Sequence, residues 1–434
     1  MTPRLLWTLV LLGLLWRLLV AALTVVPSED GANYLWMAEC FAGANATGAL
    51  SEVFPPLMPL LMAPLIWLGA DPFRGGQLLL AVAGALCVIP IARASEAMLE
   101  GSGRCAGCMV VFAHLPVRFA AEIYTEPVFI LIAACALWAG ALERWWLMGL
   151  VSGFAFWVRP EAGLLPMGFL LFQPRAWRSL PPFAALVLLL ATWRASLGLG
   201  FNLTPVGTFI FERTVFAAED LGAGAWRFLT QLLNLPWLWI EAFSLVGLLA
   251  LWGGLRRKEP CVKPVLWIWL MVIVTIALFL PRRRFLVGWT FAVAPIAAMG
   301  FATLPRRWHD LVLGIIIVMG LVLSLRVTDP NREAEREVGR HLQNVMSAEE
   351  QVAGDMTRVL YFAGQRPLPP RHFSVLELTD MAKDARTRFV VLATEKPRAA
   401  VVEELLPEFW RATLPVRIRQ SALDRGILVL ERRR

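Results

Sequence analysis

The sequence predicts an α-helical polytopic membrane protein with about eleven transmembrane helices and a small C-terminal α/β domain on the outer side. Of its 434 residues, 58% are hydrophobic and only 17% are charged, whereas soluble domains carry about 25% charged residues. The apolar residues form long separate runs, which is typical of membrane spans. Beyond about residue 328 charged residues become frequent, so a soluble unit follows the membrane region.

The first apolar run, from Leu5 to Val26, is long enough to cross about 30 Å of hydrocarbon. A cleaved signal peptide would have a shorter apolar region and a small-residue cleavage site, so we predict an uncleaved first span. Ten further runs predict spans near residues 76–97, 105–121, 125–142, 145–158, 160–173, 180–198, 236–254, 264–280, 285–304 and 310–327.

The segment from Phe54 to Trp67 is apolar but short, and four prolines interrupt it. Proline removes a backbone donor and breaks helical continuity. We therefore interpret it as part of one long outer loop, residues 27–75, that contains interfacial helices.

The distribution of arginine and lysine predicts the orientation of the chain. Basic residues concentrate in alternate connections, and cytoplasmic loops are enriched in such residues. These connections contain Arg93 and Arg104, Arg144, Arg175 and Arg178, Arg256 to Lys258, and Arg306 and Arg307. The net charge of +8 thus reflects topology and contact with membrane lipids, and no nucleic-acid partner is predicted.

We accordingly predict a cytoplasmic N-terminus, a membrane domain over residues 1–327 and a periplasmic domain over 328–434. The excess of arginine over lysine is typical of GC-rich bacterial genomes and favours the bacterial inner membrane. Within the C-terminal domain, 333–346 predicts an amphipathic helix. Strands are predicted at Arg388–Thr394 and Ile427–Glu431, with a helix near 397–411.

Two adjacent carboxylates, Glu29 and Asp30, follow the first span on its outer side. Such a pair can act as a general base or bind a divalent cation such as Mg²⁺ or Mn²⁺. The alternative is a solvated helix start, with Ser28 or Asp30 as its N-cap. The histidines are too few and too dispersed to predict a metal site, so metal binding stays open.

A second acidic segment runs from Glu122 through Tyr124 to Glu126 and Pro127, at the predicted outer mouth between two spans. Pro127 suits the first turn of a helix, and Glu126 would stabilise the positive end of that helix. This capping role is one reading. The other is that carboxylates from the two acidic segments converge on one cleft.

The cluster Arg282, Arg283 and Arg284 lies on the outer side, against the general distribution of basic residues. Guanidinium groups bind phosphate oxygens in a bidentate fashion, so the cluster favours an anionic ligand such as a lipid phosphate. Contact with anionic lipid headgroups, or a topology error of one span, are the alternatives. Arg159 and Glu161 also fall on this face, where a surface ion pair is the simpler reading.

In their order and placement these motifs resemble the GT-C superfamily of membrane glycosyltransferases. The likeness is greatest to family 39 and to protein mannosyltransferase-like and aminoarabinose transferase-like proteins. The resemblance rests on the acidic motif after the first span and on five further segments. These are Phe54-Pro-Pro-Leu57, Thr125-Glu126-Pro127, Arg159-Pro-Glu-Ala-Gly163, Arg283-Arg-Phe285 and the outer α/β tail.

The resemblance implies that a polyprenyl-phosphate sugar donates its sugar on the outer face, in one inverting displacement, to a lipid, glycan or protein acceptor. Asp30, four residues before Tyr34, corresponds to the catalytic base of the family. The family often has Asp-Glu here, so Glu29 remains the alternative base. Relatives acting on lipid A carry a lysine where this chain has Phe54, which argues against aminoarabinose transfer.

The resemblance also implies roles for residues outside the acidic motif. Arg283 and Arg284, with Arg282 and Arg159, would stabilise the departing lipid phosphate. Glu126 would position the acceptor or a metal. Substrate contacts are expected from Tyr34, Glu52 and Tyr124.

Two other classes of protein fit a polytopic chain. A transporter or flippase of a lipid-linked or anionic substrate would often have inverted repeats and ionisable residues at mid-membrane. A scaffold protein would not need outer arginines beside carboxylates. Because the charges concentrate at one face and no internal repeat is found, the sequence favours the enzyme.

Overall fold

A computed structural model describes residues 1–202, 221–256, 262–279, 283–325, 331–347, 349–367, 380–393, 409–412, 414–415, 418–419, 422 and 426–433. Of residues 221–232, 274–279, 283–284, 331 and 410–411 it describes the backbone alone. These ranges include most of the predicted membrane region and four strands of the C-terminal unit.

Helices dominate the first 325 residues. Up to residue 98 they are α1 (Pro3–Leu23), α2 (Glu29–Ala42), α3 (Ala46–Leu50), α4 (Leu57–Trp67), α5 (Pro72–Leu86) and α6 (Val88–Met98). Next come α7 (Gly103–Val111), α8 (His114–Ala121), α9 (Glu126–Ala141), α10 (Trp145–Phe156), α11 (Leu164–Phe172) and α12 (Leu180–Ser196). The last are α13 (Leu221–Arg256), α14 (Val262–Phe279), α15 (Arg283–Val287), α16 (Thr290–Phe301) and α17 (His309–Ser324). Short 3₁₀ helices occupy Pro160–Gly163, Pro174–Ser179 and Arg306–Trp308.

Each predicted span coincides with one or more of these helices, which confirms a helical membrane protein. In the described residues five helical segments are long and apolar enough to cross a membrane, or six if α7 and α8, bent by 46°, count as one. Six further apolar helices are shorter, with 10–17 residues. The number eleven therefore stays a prediction.

Helix α1 illustrates how the sequence determines the two faces of a span. Its exposed side chains, Trp7, Leu11, Leu15, Leu19 and Leu23, recur every fourth residue and form a lipid-facing stripe. The opposite face is buried in the main core. Arg17 lies on that buried face, fully covered, and donates hydrogen bonds to the carbonyls of Gly13 at 3.1 Å and Val110 at 3.3 Å. A charged side chain within a span is expected to face protein in this way.

The outer loop predicted at 27–75 contains α2, α3 and α4, and α5 already begins at Pro72. Helix α4 has 11 residues and packs on α2, while Trp67 and Leu68 at its end are 77% and 75% exposed. A helix of this length is too short to span the bilayer, and exposed aromatic residues are typical of an interfacial segment.

The C-terminal unit begins with α18 (Asn331–Val345), the predicted amphipathic helix, followed by β1 (Gln351–Gly354) and α19 (Thr357–Phe362). Strands β2 (Thr387–Ala393), β3 (Phe409–Arg411) and β4 (Ile427–Arg432) complete a four-stranded sheet in the order β1-β2-β4-β3. Strand β1 is parallel to β2, and the other pairs are antiparallel. The strands predicted near 388 and 427 are confirmed.

The helix predicted near 397–411 is wrong at its end. Residues 409–411 form β3, which pairs with β4 so that Phe409 lies opposite Arg432. Short apolar segments do not distinguish helix from strand by periodicity, and here tertiary pairing determines the conformation. Residues 397–408 lie outside the described ranges.

Candidate functional site

The acidic motif after the first span is the start of α2. Ser28 is its N-cap, because its hydroxyl accepts a hydrogen bond from the Gly31 amide at 2.9 Å. Glu29 and Asp30 are therefore first-turn residues, where the positive end of the helix favours carboxylates. Asp30 is buried, at 7% exposure, whereas the side chain of Glu29 is 54% exposed.

The second acidic segment lies directly against this helix start. The Ser28 amide donates to the Glu122 carbonyl at 2.8 Å. A Cβ added at Gly31 would lie 2.8 Å from the Glu122 carbonyl oxygen and 3.0 Å from that of Ile123, so the close approach requires glycine. The two segments are thus in contact, although some 90 residues of sequence separate them.

The turn between α8 and α9 is strained where it meets α2. Ile123 has a φ of 60° and is fully buried. A β-branched residue in this left-handed region costs about 1–3 kcal/mol, and such strain concentrates at functional sites. The turn also holds Tyr124, whose ring centroid lies 4.6 Å from that of Phe119.

Arg159 links two carboxylates at this end of the bundle. Its guanidinium donates to Glu126 at 2.7 Å and to Glu161 at 3.0 Å. Arg159 and Glu161 do form an ion pair, but the prediction that this pair lies on the surface is wrong, since the Arg159 side chain is only 9% exposed. Burial lowers the pKa of Arg159, but Glu161 and Glu126 outweigh it, so that pKa is raised and the guanidinium stays charged.

Aromatic side chains surround the Arg159 guanidinium. It lies 5.6 Å from the ring centroid of Phe129 and 5.3 Å from that of Phe285, within the range of cation–π attraction. The phenol of Tyr34 lies near Arg159, and its ring packs edge-on against Phe54 at 5.1 Å. The residues Tyr34, Glu126 and Arg159, predicted from separate motifs, are therefore neighbours.

The predicted phosphate-binding arginines are placed only in part. Arg283 and Arg284 begin α15, and Phe285 of the same helix contacts Arg159. The start of α15 thus lies next to the Arg159 pairs. The side chains of Arg283 and Arg284 and the whole of Arg282 lie outside the described residues, so their phosphate contacts stay a prediction.

The C-terminal unit supplies basic partners to carboxylates of the membrane domain. Arg332 pairs with Glu122 at 3.0 Å, and Glu122 also pairs with Arg118 at 3.2 Å. Arg358 binds Glu335 through two hydrogen bonds, at 2.6 and 2.7 Å, and lies 3.8 Å from Glu29. Sequence analysis missed these arginines.

Two carboxylates of the outer loop, one buried and one half-buried, also contact the C-terminal unit. Arg366 donates to Glu52, which is 2% exposed, at 2.7 Å. The Tyr361 hydroxyl donates to Glu39 at 2.9 Å. Burial raises the pKa of Glu52 and of Glu39, while Arg366 and Tyr361 respectively act to lower them.

Metal binding gains no support from the described residues, which contain no group of three or more histidine, cysteine, aspartate or glutamate side chains placed to hold an ion. The divalent cation remains a prediction that rests on Glu29 and Asp30.

No family model and no curated protein matches this chain. Solved structures do match over its full length. ArnT from Cupriavidus metallidurans bound to undecaprenyl phosphate is 12% identical, with a TM-score of 0.62 over 99% of this chain and 98% of that one. The apo form of ArnT is 13% identical, with a TM-score of 0.66 over 98% and 97%.

The arabinofuranosyltransferase AftD from Mycobacteria is 11% identical, with a TM-score of 0.53 over 99% of this chain and 40% of that chain. The chain has the ArnT fold. Because the identities are so low, the likeness establishes the fold alone, and it confirms the predicted helical membrane fold with a small C-terminal α/β unit.

One feature of the sequence could have predicted that the C-terminal unit contributes residues to the candidate site. The chain has three tyrosines, Tyr34, Tyr124 and Tyr361. Tyr34 lies near Arg159, Tyr124 lies near Arg358, and Tyr361 donates a hydrogen bond to Glu39. Because tyrosine is rare in this chain and the other two tyrosines lie near the candidate site, Tyr361 could have been predicted. Arg358 and Arg366 could not, because arginine is common in the C-terminal part of the chain.

Proposed function

We propose that this protein is an inverting membrane glycosyltransferase that moves a sugar from a polyprenyl-phosphate donor to an acceptor on the periplasmic face. The observation that carries the proposal is the meeting of Asp30, buried at the start of α2, with the strained turn before α9. Arg159 and the start of α15 complete this end of the bundle. ArnT, which shares the fold, has been crystallised with undecaprenyl phosphate, and this supports the donor class.

In the proposed reaction the acceptor hydroxyl oxygen attacks the anomeric carbon from the face opposite the phosphate. The new C–O bond forms as the bond to the phosphate oxygen breaks, and polyprenyl phosphate leaves with the bonding electrons. Asp30 orients the hydroxyl and takes its proton. We favour Asp30 over Glu29 because it is buried, whereas Glu29 is half-exposed and faces Arg358.

The departing phosphate gains negative charge in the transition state and needs fixed positive charge beside it. We assign this role to Arg283 and Arg284, with Arg282. Arg159 is already bound to Glu126 and Glu161, so we assign it to positioning. It holds Glu126 at the site and the start of α15 against the bundle, instead of contacting the phosphate itself.

The experiment is sugar transfer by the purified, lipid-reconstituted protein from a panel of radiolabelled polyprenyl-phosphate sugars, with lipid, glycan and peptide acceptors. Asp30→Asn should abolish donor consumption. Asp71→Asn is the matched control, because Asp71 is an exposed N-cap of α5 and asparagine caps equally well. Full transfer by the Asp30→Asn protein would refute the base assignment.

Two further arms test the remaining parts of the proposal. Transfer that is lost with a chelator and restored by Mg²⁺ or Mn²⁺ would support a divalent cation, and transfer that is unaffected would exclude an essential one. If the folded wild-type protein consumes no donor with any acceptor, the glycosyltransferase proposal fails. The same vesicles would then be used to measure flux of the lipid-linked donor, as expected of a transporter.

A further inference from the structure

A cavity of about 580 Å³ opens at the end of the bundle opposite the candidate site. Helix α9 begins at Glu126 in the site and ends at Ala141, and α10 returns from Trp145 towards Arg159. At a rise of about 1.5 Å per residue, the turn between these helices lies about 24 Å from Glu126. The cavity is bounded by this turn and by the 3₁₀ helix that precedes α12.

The segments that line this cavity are held rigidly together. A Cβ added at Gly149 would overlap the backbone carbonyl of Ser179, so the 3₁₀ helix packs directly on α10. Ser179 is buried, and its hydroxyl donates to the Ala176 carbonyl at 2.6 Å. Arg178 precedes Ser179, and Arg144 precedes the first residue of α10, so their backbones have a fixed separation.

The charge of the lining favours an anion. Arg144 and Arg178 are exposed, and within the described part of the chain neither guanidinium makes a hydrogen bond or an ion pair. Glu143 is the single acidic residue of the lining. Unpaired guanidinium groups are the side chains best suited to bind phosphate oxygens.

The apolar part of the lining favours a lipid. Trp146 and Trp177 are 62% and 57% exposed, and Leu147 is 40% exposed. Tryptophan side chains are enriched where the membrane meets water, with the ring at the level of the headgroups. A ligand with one phosphate and an apolar body would satisfy both the arginines and the tryptophans.

We propose that this cavity binds the headgroup of an anionic phospholipid from the surrounding membrane, with Arg144 and Arg178 on its phosphate and the two tryptophans beside its glycerol and acyl chains. The site is independent of the proposed glycosyl transfer. A water-soluble phosphate ester would use the arginines alone, and this difference separates the two occupants experimentally.

The test is native mass spectrometry of the full-length protein titrated with phosphatidylglycerol or phosphatidylcholine of identical acyl chains. The wild type should retain phosphatidylglycerol in preference. Two arginines at an anionic surface correspond to about thirtyfold in affinity, so Arg144→Gln with Arg178→Gln should remove a preference of that order. Trp146→Leu with Trp177→Leu should weaken binding of the lipid while the preference for its charge remains.

The matched control is Arg306→Gln with Arg307→Gln. These arginines are also exposed and lie beside Trp308 at the same end of the bundle. Their replacement changes the net charge by the same amount as replacement of Arg144 and Arg178. Equal loss from the two arginine pairs would mean general surface attraction and would overturn the proposal. Unchanged binding in the tryptophan variant, or displacement of phosphatidylglycerol by glycerol phosphate at comparable concentration, would likewise overturn it. Melting temperatures equal to that of the wild type establish that the variants are folded.

Discussion

Replacing Arg159 by methionine tests how strongly the ion pairs hold the candidate site together. Methionine keeps the apolar stem of the side chain and removes its charge. Glu126, whose side chain is 2% exposed, would then lose its ion pair with Arg159 at 2.7 Å. Removing one partner of a buried pair typically costs about 3–5 kcal/mol, because the remaining charge is uncompensated. We expect the free energy of unfolding to fall by about this amount.

The two carboxylates that bind Arg159 provide an internal comparison. Glu161 lies at nearly the same distance, 3.0 Å, but its side chain is 29% exposed. An ion pair accessible to solvent contributes only about 0.2–1 kcal/mol. In the Arg159→Met background, Glu126→Gln should therefore recover most of the lost stability, and Glu161→Gln less than about 1 kcal/mol.

The assay is equilibrium unfolding in mixed micelles by titration with a denaturing detergent. It compares the wild type with five variants that form two double-mutant cycles: Arg159→Met, Glu126→Gln, Glu161→Gln, and Arg159→Met combined with each glutamate change. We expect the difference in recovered stability between the two carboxylates to follow from their burial and not from their distance to Arg159. Equal recovery by Glu126→Gln and Glu161→Gln would refute this reasoning, since the two carboxylates differ in exposure, at 2% and 29%.

Two further predictions concern the contacts around α2. Because burial raises the folded-state pKa of Glu39, the stability contributed by its neutral form is present below the ordinary pKa of 4.5 and is lost as pH rises through the raised value. Melting temperatures measured from about pH 4 to about pH 8 test this. Tyr361→Phe should shift the loss of stability to higher pH, because the Tyr361 hydrogen bond lowers the pKa of Glu39, and Glu39→Gln should remove the part of the pH dependence that Glu39 causes. Superimposable profiles of melting temperature against pH for the wild type and both variants would contradict the assignment. Gly31→Ala should lower both sugar transfer and melting temperature, because its methyl would press on two backbone carbonyls. Gly314→Ala, with nothing within 4 Å, should leave transfer unchanged, so full transfer by the Gly31 variant would contradict the predicted close contact.

The helical part of the fold was accessible from the sequence because the membrane leaves few alternatives. In hydrocarbon every backbone donor and acceptor must be paired within the segment, so a long apolar run becomes a helix. The predicted first span, Leu5 to Val26, corresponds to α1 at Pro3–Leu23. The start of α2 was equally local, since a serine before two acidic residues carries its own capping chemistry.

The partners of the site carboxylates were not accessible, because they are distant in sequence. Glu52 and Arg366 are 314 residues apart, and Glu39 and Tyr361 are 322 apart. No periodicity links such residues, and each arginine by itself looks like a solvated charge. Strand β3 was missed for a related reason, since its three residues acquire their conformation from pairing with β4.

The contacts across the predicted domain boundary argue that the C-terminal unit belongs to the site. Glu29, Glu39 and Glu52 of the outer loop each face a basic or phenolic group from beyond residue 331. Glu52 is buried and Glu39 is half-buried, and a buried acid without a partner would be costly. The membrane domain therefore depends on the C-terminal unit for partners to these three carboxylates. Composition divides the chain near residue 328, but the charge balance of the candidate site depends on residues from both sides of that division.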